Sequence, residues 1–263
     1  MQSQKRAASQ PDAMARQYST SDNLNVRASL HEKYSVNRQG FGPWIFSHYA
    51  FKPGDRILEL GCGTGSTWAG RLDALPEDCT LMLTDLSSGM LHAARAALGE
   101  RPNLKYEIAD IQSIPHPDAA FDAVIANMML YHVPDPDQGL GEVRRVLRPG
   151  GTFYCATYGE HGIVEYLSGL LGGFGVRDTL NRSFTRQSGG ALLRARFREV
   201  RWEDYEDALE VTDPEDVADY LYSLTGMADL DPAQRPAIVE KLRGGMRDGV
   251  LHIPKEYGMF ICQ

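Results

Sequence analysis

Three glycines at alternate positions, Gly61, Gly63 and Gly65, follow an apolar run that carries one acid, Glu59. Glycine lets a backbone turn sharply and lets a ligand approach where a Cβ atom would collide. A buried strand, a glycine turn and a helix starting within residues 66–72 would form a pocket for a nucleotide-like ligand, because the first helical amides point at the loop. The spacing is G-x-G-x-G and not the G-x-G-x-x-G of dinucleotide folds. An ordinary strand-to-helix turn is the alternative interpretation.

Two further acids close the next predicted strands. Asp85 ends a strand over residues 80–85, twenty residues after Gly65, where a carboxylate can accept both hydroxyls of a ribose. A helix cap is the alternative role for this acid. Asp110 ends a strand over residues 104–110 and could bond an exocyclic amine. Ile111 or Met90 is expected to cover an adenine face.

Two histidines are candidates for a general base. His132 follows a strand predicted over residues 121–127, and Tyr131 beside it could orient a substrate hydroxyl. His31 lies on a predicted N-terminal helix, on one stripe with Arg27. A positioned base adds roughly 10²–10⁴-fold to the rate when a nucleophile must lose a proton. The catalytic candidates are therefore His132, His31 and Tyr131, and a packing role is the alternative for each histidine.

The composition of the chain argues against several other classes of protein. The 263 residues carry a formal net charge of −8, which is a poor match for non-specific binding to nucleic acid. The four cysteines lie far apart with no C-x-x-C pair, so reduced thiols are expected and a zinc site is not. No cluster of Cys, His and Asp indicates a metal. We find no apolar run long enough for a membrane span and no secretory signal, and a cytoplasmic protein is expected.

Strands and helices alternate along the chain in a pattern that predicts a parallel sheet wound on both faces. Five strands are expected up to residue 157, and the last of them covers residues 152–157. A sixth strand is predicted over residues 200–211. Residues 250–253 and 257–261 are predicted to form an edge hairpin that carries the seventh strand.

The order of these features resembles a known family. The glycine loop, Asp85, Asp110, Asn127, the run Tyr-His-Val-Pro-Asp at 131–135 and the turn Arg-Pro-Gly-Gly at 148–151 follow one another as in class I S-adenosylmethionine-dependent methyltransferases. The likeness is to their small-molecule branch, which is similar to the enzymes of ubiquinone biosynthesis, and it covers about residues 53–158. It implies a Rossmann-like sheet of seven strands, mostly parallel, with helices on both faces.

The resemblance also implies the cofactor, S-adenosyl-L-methionine, and the residues that would hold it. The backbone of residues 61–65 would meet the amino-acid end of the cofactor, and Tyr18 and Arg27 could reach its carboxylate. The full set of expected cofactor-binding residues is Tyr18, Arg27, Glu59, Gly61, Cys62, Gly63, Gly65, Asp85, Leu86, Met90, Asp110, Ile111, Asn127 and Met128.

The expected domain organisation is a flexible tail over residues 1–20 and a single domain over residues 21–263. Within that domain, residues 21–50 would form a helical cover and residues 51–158 the cofactor-binding core. An expanded crossover with inserted helices would occupy residues 159–249, and the hairpin would occupy residues 250–263. The N-terminal and inserted helices are expected to cover the site, because methyl transfer favours the exclusion of water.

These features together predict an enzyme that transfers a methyl group from S-adenosylmethionine to a small-molecule acceptor in secondary metabolism. A tRNA or protein methyltransferase is one alternative, and a non-catalytic regulatory protein that binds the cofactor is another. The expected partner is a small-molecule substrate, without nucleic acid or membrane, and the chain is expected to be a monomer or a homodimer. The pattern does not rank oxygen, nitrogen and carbon acceptors.

Overall fold

The computed structural model describes residues 21–224 and 230–263. Within them the α-helices are α1 (Ser21–Tyr34), α2 (Phe41–Ser47), α3 (Ser88–Leu98), α4 (Pro136–Val146), α5 (Ile163–Leu171), α6 (Arg186–Arg194), α7 (Pro214–Ser223) and α8 (Arg235–Gly244). The strands are β1 (Arg56–Leu60), β2 (Thr80–Asp85), β3 (Leu104–Ile108), β4 (Phe121–Ile125), β5 (Leu147–Tyr158), β6 (Val200–Tyr205), β7 (Ala208–Val211), β8 (Leu251–Pro254) and β9 (Tyr257–Cys262).

The strand β1 is an interior strand of a seven-stranded sheet. It pairs in parallel with β2 on one side and with β4 on the other. The order across the sheet is β3-β2-β1-β4-β5-β9-β6. β9 runs antiparallel to both of its neighbours, β5 and β6, whereas the strand pairs from β3 to β5 are all parallel. The predicted mostly parallel sheet of seven strands is therefore confirmed.

Both faces of this sheet are apolar, as a parallel sheet covered by helices on both sides requires. Leu58 and Leu60 of β1 belong to one buried cluster, which also contains Val143 of α4 and Leu193 of α6. Ile57 points to the opposite face and belongs to a second cluster, to which α2 and α3 contribute. The alternation along β1 thus places helices on both faces of the sheet.

The described chain divides into two compact units. The sheet unit consists of Gln39–Glu160, Asn181–Glu206 and Glu256–Gln263. The helical unit consists of the described residues up to Arg38, together with those in His161–Leu180 and Asp207–Lys255. The helical unit contains α1, α5, α7 and α8, and its strands β7 and β8 form a separate antiparallel pair. The prediction that residues 21–50 cover the site stays a prediction.

A buried polar network ties three segments of the helical unit together. The Lys255 ammonium is paired with the Asp207 carboxylate, and their side chains are only 5% and 0% exposed. Ser35 donates its hydroxyl hydrogen to the same carboxylate, and the Asn37 amide donates to its other oxygen at 3.0 Å. The carboxylate is therefore bonded to the residues that follow α1 and to the residue that follows β8.

The predicted helix directly after the glycine loop is wrong. Residues 66–71 form successive turns, and the first helical residues are a short 3-10 segment, Leu72–Ala74. The Trp68 amide donates to the Gly65 carbonyl at 2.9 Å, and the Arg71 amide donates to the Trp68 carbonyl at 2.9 Å. Gly70 lies within the second of these turns, and its positive φ of 71° is incompatible with a continuing α-helix.

The predicted end of the chain also needs correction. β9 lies inside the sheet between β5 and β6, and β8 pairs with β7, so residues 250–261 form no edge hairpin. The predicted sixth strand over residues 200–211 is divided into β6 and β7, which belong to different sheets. The predicted third strand ends earlier than expected, at Ile108 and not at Asp110. β9 is buried along most of its length, as an interior strand must be.

Two predictions fall on parts of the chain outside the described residues, namely the tail over residues 1–20 and the cofactor contact of Tyr18. Among the residues that are described, no helix combines the length and the apolar character that crossing a membrane requires. The same part of the chain contains no group of three or more His, Cys, Asp or Glu side chains placed to hold a metal ion.

Candidate cofactor site at the carboxyl edge of the sheet

The glycine loop and the acid at the end of β2 are joined directly. The Gly63 amide donates to one oxygen of the Asp85 carboxylate at 3.0 Å, and the Ser87 amide donates to the other oxygen at 2.8 Å. The Cys62 amide donates to the Thr84 carbonyl at 2.9 Å, which ties the loop to β2 a second time. The carboxyl ends of adjacent parallel strands meet at one edge of the sheet, and the structure brings these predicted residues together there.

The loop leaves room for a ligand beside Gly63. This residue has a positive φ of 55°, and a Cβ atom built on it would meet no other atom within 4 Å. At Gly61, by contrast, a Cβ atom would lie 3.0 Å from the side chain of Met129. The open side of the loop is thus at Gly63, next to the Asp85 carboxylate, which keeps lone pairs for ligand hydroxyls because a carboxylate can accept about four hydrogen bonds.

The acid of the motif, Glu59, is buried under this loop and is only 2% exposed. Its carboxylate accepts a hydrogen bond from the indole nitrogen of Trp68 at 2.6 Å. The pKa of Glu59 is raised to about 7, mainly by burial and to a smaller extent by the charge of Asp85, and the bond from Trp68 opposes both effects. Burial also raises the pKa of the neighbouring Cys62 thiol, which therefore stays protonated.

The far end of the edge has the features of a nucleobase site. Leu86 and Ile108 follow or end adjacent strands, and their side chains are 57% and 56% exposed, which is unusual for large apolar residues. Asp110 lies beyond them and accepts from the Gln112 amide at 2.8 Å. Met90 is partly exposed on α3. Ile111 is buried against Gly139, so its expected contact with an adenine face stays a prediction.

The chain leaves β4 through a fixed turn. Asn127 donates its side-chain amide to the hydroxyl of Tyr49 at 2.7 Å and accepts from the Ala156 amide at 3.1 Å. Met128 has a positive φ of 52°, and its amide donates to the Ala156 carbonyl at 2.8 Å. A non-glycine residue in this conformation is uncommon and is often found where function constrains the backbone. The side chain of Asn127 therefore supports the strand ends, and its contact with a cofactor stays a prediction.

Two of the catalytic candidates lie on this turn. The ring of Tyr131 lies 4.5 Å from that of His132 and 4.4 Å from that of Tyr158, measured between ring centres. His132 is partly buried, and burial lowers its pKa, so more of its imidazole is neutral at pH 7. Because Met129 on the same turn packs towards Gly61, the segment from Met128 to Val133 lies beside the glycine loop. We call this segment the β4 loop.

The remaining predicted site residues belong to the helical unit. The His31 ring meets the ring of Tyr220 edge-on, with centres 6.3 Å apart. The pKa of His31 is lowered to about 4, mainly by burial and to a smaller extent by the charge of Lys255, and the charge of Asp207 opposes both effects. Arg27 lies on the same helix, α1. The predicted roles of these two residues towards cofactor and acceptor stay predictions.

Sequence reasoning missed several residues that shape this edge. Trp68, which reaches back nine positions to Glu59, is fully buried and stacks on Tyr49 with ring centres 6.0 Å apart. The position of a tryptophan three residues after the glycine loop was the feature of the sequence that could have indicated this role. Ile108 could have been found as the last apolar residue of a strand, at the register partner of Asp85. Nothing local in the sequence indicates that Tyr49 bonds to Asn127.

The residues at this edge fit a cofactor of the S-adenosylmethionine type. The carboxylate of Asp85 suits the two hydroxyls of a ribose, and the exposed Leu86 and Ile108 suit a planar base. The open space at Gly63 admits a ligand against the loop backbone.

Comparisons with known proteins agree with this arrangement. A family model described as a methyltransferase domain matches residues 58–155, which run from β1 into β5. Malonyl-[acyl-carrier protein] O-methyltransferase of Geobacter sulfurreducens is 33% identical over 161 residues, which are 59% of this chain and 60% of that protein. Ubiquinone/menaquinone biosynthesis C-methyltransferase of Teredinibacter turnerae is 35% identical over 103 residues, which are 38% of this chain and 41% of that protein. The match thus spans less than two thirds of either curated relative.

A solved structure shows the same fold over nearly the whole chain. Phosphoethanolamine N-methyltransferase 2 of Haemonchus contortus, in complex with S-adenosyl-L-methionine, has a TM-score of 0.61 at 16% identity. The alignment covers 98% of this chain and 60% of that one. The glycine loop bonded to Asp85 lies within the matched region, and the strand order is that of the Rossmann-like fold of S-adenosylmethionine-dependent methyltransferases. Residues 58–155 of this chain therefore belong to a methyltransferase domain.

Proposed function

We propose that this chain is an enzyme that transfers the methyl group of S-adenosylmethionine to a small-molecule acceptor in secondary metabolism. The observation that carries the proposal is the bond between the Gly63 amide and the Asp85 carboxylate, which joins the open glycine loop to a ribose-type acid within the matched region. The two curated relatives, a C-methyltransferase and an O-methyltransferase, give the proposal further support.

The residues at the edge would divide the binding of this cofactor among them. Asp85 would accept the ribose hydroxyls, Leu86 and Ile108 would contact the adenine, and Asp110 would bond its exocyclic amine. The backbone of residues 61–65 would face the amino-acid end. When bound, S-adenosylmethionine supplies a methyl group on a positively charged sulfur, which is already a good leaving group. Alignment of the acceptor is then the main task of the protein, and alignment with desolvation can supply about 7–11 kcal/mol.

His132 is the proposed base for an acceptor whose nucleophile must lose a proton. Its burial lowers its pKa and so favours the neutral imidazole, which can take a proton at pH 7. Tyr131, whose ring is next to that of His132, would orient the acceptor. An acceptor that is already a neutral amine or an activated carbon needs no base, and His132 would then shape the pocket only.

The proposal is tested first by calorimetry with S-adenosylmethionine and its demethylated product, S-adenosylhomocysteine. Wild-type protein should bind both, and Asp85→Ala should bind them more weakly. The exposed Asp73 offers a matched control variant, Asp73→Ala, which should bind like the wild type. Absence of binding to the wild type would overturn the proposal.

Transfer is tested by incubation with methyl-labelled S-adenosylmethionine and a panel of phenols, quinols, amines and carboxylic acids, in parallel with cell extract. Label in a small-molecule fraction supports the proposal. Label in RNA or protein would instead establish the macromolecular alternative. Tight cofactor binding without label in any fraction would indicate a non-catalytic binding protein.

The setting of this activity is also a proposal. We propose a cytoplasmic enzyme that works as a monomer or a homodimer on a freely diffusing acceptor, without nucleic acid. Light scattering after size-exclusion chromatography measures the assembly state, and a larger oligomer would contradict this part of the proposal. Fractionation of the source cells tests the location.

A further inference from the structure

The middle of the β4 loop is held by a segment that follows it by about fifty residues. The Tyr131 carbonyl accepts hydrogen bonds from the side-chain amide of Asn181 and from the hydroxyl of Ser183, the latter at 3.1 Å. The Ser183 amide donates to the side-chain oxygen of Asn181 at 3.0 Å. The hydroxyl of Tyr158, at the end of β5, donates to the Asn181 carbonyl at 3.0 Å. The side chain and the carbonyl of Asn181 thus connect the β4 loop, Ser183 and β5.

The segment that makes these bonds is itself anchored. Thr185 and Ser188 form a reciprocal cap at the start of α6. The Thr185 hydroxyl also donates to the Glu160 carboxylate at 2.9 Å, and the Ser188 hydroxyl donates to the Arg182 carbonyl at 3.1 Å. Because its following helix is capped and tied to the end of β5, Asn181 can act as a fixed point for the loop.

The near end of the β4 loop is attached to the cofactor side of the edge. The Met128 amide bonds to the Ala156 carbonyl at 2.8 Å, and the side chain of Met129 approaches Gly61. The loop therefore has two attachments, one at the glycine loop and one where Asn181 bonds to the Tyr131 carbonyl, and His132 directly follows the second. Loss of the second attachment would free the half of the loop that contains Tyr131 and His132 without touching the Gly63–Asp85 bond.

We propose that Asn181 is a positioning residue, which acts through the Tyr131 carbonyl to hold Tyr131 and His132 at the acceptor end of the site. The assignment of this end of the site to the acceptor rests on the proposed function. The attachment of the loop to Asn181 does not depend on that function. Asn181 touches neither reacting group in this role. It sets where the acceptor can lie relative to the glycine loop, and it belongs to a region that the sequence predicts only as an expanded crossover.

The test compares Asn181→Ala with a matched control, Asn103→Ala. The side-chain amide of Asn103 also donates to a backbone carbonyl, that of Cys79 at 3.2 Å, and it lies in the same unit. Hydrogen exchange read by mass spectrometry should show roughly tenfold faster exchange in residues 128–133 of Asn181→Ala, as expected for the loss of a hydrogen bond. Asn103→Ala should leave the exchange of these residues unchanged. Two variants test the second bond to the Tyr131 carbonyl, which comes from Ser183. Ser183→Thr retains the hydroxyl and should show wild-type exchange in residues 128–133, and Ser183→Ala should show faster exchange there.

A second readout follows the imidazole of His132 by NMR, with His132→Gln to assign its signal. Because burial lowers the pKa of His132, loosening of the loop in Asn181→Ala should move its titration midpoint towards that of a free imidazole. A residue with only a structural role would lower stability without moving this midpoint. The affinity for S-adenosylhomocysteine should stay within about twofold of the wild type, because the bond at Gly63 is intact.

Unchanged exchange and an unchanged His132 midpoint in folded Asn181→Ala would overturn the proposal. So would equal effects of Asn181→Ala and Asn103→Ala on the β4 loop. None of these measurements requires an acceptor or turnover. If the wild type fails to bind S-adenosylhomocysteine while the loop responds as expected, the proposed function fails and the positioning role of Asn181 stands.

Discussion

Glu59 offers a direct test of the electrostatics under the glycine loop, through the substitution Glu59→Gln. Its carboxyl group is 2% exposed and is bonded to the indole of Trp68. Burial raises its pKa from 4.5 to about 7. Between these two values the folded protein holds a proton that the unfolded chain releases. The free energy of unfolding that Glu59 contributes is therefore complete below pH 4.5 and is lost as the pH rises through 7.

The size of the effect follows from the pKa values. A change from 4.5 to about 7 corresponds to about 3 kcal/mol, since each factor of ten in proton affinity is about 1.4 kcal/mol. A glutamine has the same shape, can accept from the indole of Trp68 and releases no proton. The difference in unfolding free energy between wild type and Glu59→Gln should thus fall by about 2–3 kcal/mol between pH 5 and pH 8.

The measurement is equilibrium unfolding in urea at several pH values, followed by tryptophan fluorescence. All three tryptophans, Trp44, Trp68 and Trp202, lie in the sheet unit, so the signal reports on the unit that contains Glu59. The same substitution at the exposed Glu77 is the control for the loss of a carboxylate at the surface.

A pH-independent difference between wild type and Glu59→Gln would refute the reasoning. It would mean that Glu59 has the same pKa in the folded and unfolded chains. A difference that grows as the pH rises would mean that hydrogen bonding from Trp68 outweighs burial and stabilises the ionised carboxylate.

Three further predictions concern other parts of the molecule. Asp85→Ala should weaken binding of S-adenosylhomocysteine by about 1.5–3 kcal/mol in calorimetry, because a charged acceptor is lost, and unchanged affinity would remove this residue from the site. Gly63→Val should abolish the binding of S-adenosylhomocysteine. The control is Gly54→Val, which should lower only the stability, because Gly54 also has a positive φ and open surroundings. Near-normal binding by Gly63→Val would mean that the loop does not hold the ligand. Lys255→Met should destabilise the helical unit by about 3–5 kcal/mol in urea unfolding followed by circular dichroism, because it leaves the buried Asp207 carboxylate without its cation. The double variant Lys255→Met/Asp207→Leu should recover part of that loss, and equal instability of single and double variants would contradict this explanation.

The parallel strands were readable from sequence because of a physical requirement. A strand covered on both faces is mainly apolar, and β1, β2 and β4 each contain a short apolar run. The same requirement explains the error at the C-terminus. The run from Tyr257 to Cys262 is almost entirely apolar, which is typical of an interior strand and not of an edge hairpin. Its antiparallel partners lie far away in the sequence, and no local spacing identifies them.

The helix after the glycine loop illustrates a different limit. Residues 66–72 have acceptable helix-forming side chains apart from Gly70, and resemblance to a strand–loop–helix unit favours a helix. In the structure, the indole of Trp68 bonds to Glu59, and the backbone forms turns closed by hydrogen bonds between residues i and i+3. One buried hydrogen bond and the packing of a large ring thus outweigh local propensity, which is a weak preference of less than about 1 kcal/mol per residue.

The cofactor end and the proposed acceptor end of the site are built differently, and this difference decides which of their residues can be predicted from the sequence. Gly63, Asp85 and Asp110 lie at or just beyond the ends of neighbouring strands, so the geometry of the sheet itself brings them to one edge. These residues can therefore be predicted from their positions after the predicted strands. The proposed acceptor end is the β4 loop, whose Tyr131 carbonyl is held by Asn181, fifty residues further along the chain, through a side-chain bond that no local sequence pattern indicates. It follows that substitutions around Asn181 should change the choice of acceptor while leaving cofactor affinity intact. Equal loss of both in every such variant would show that the two ends are not separable.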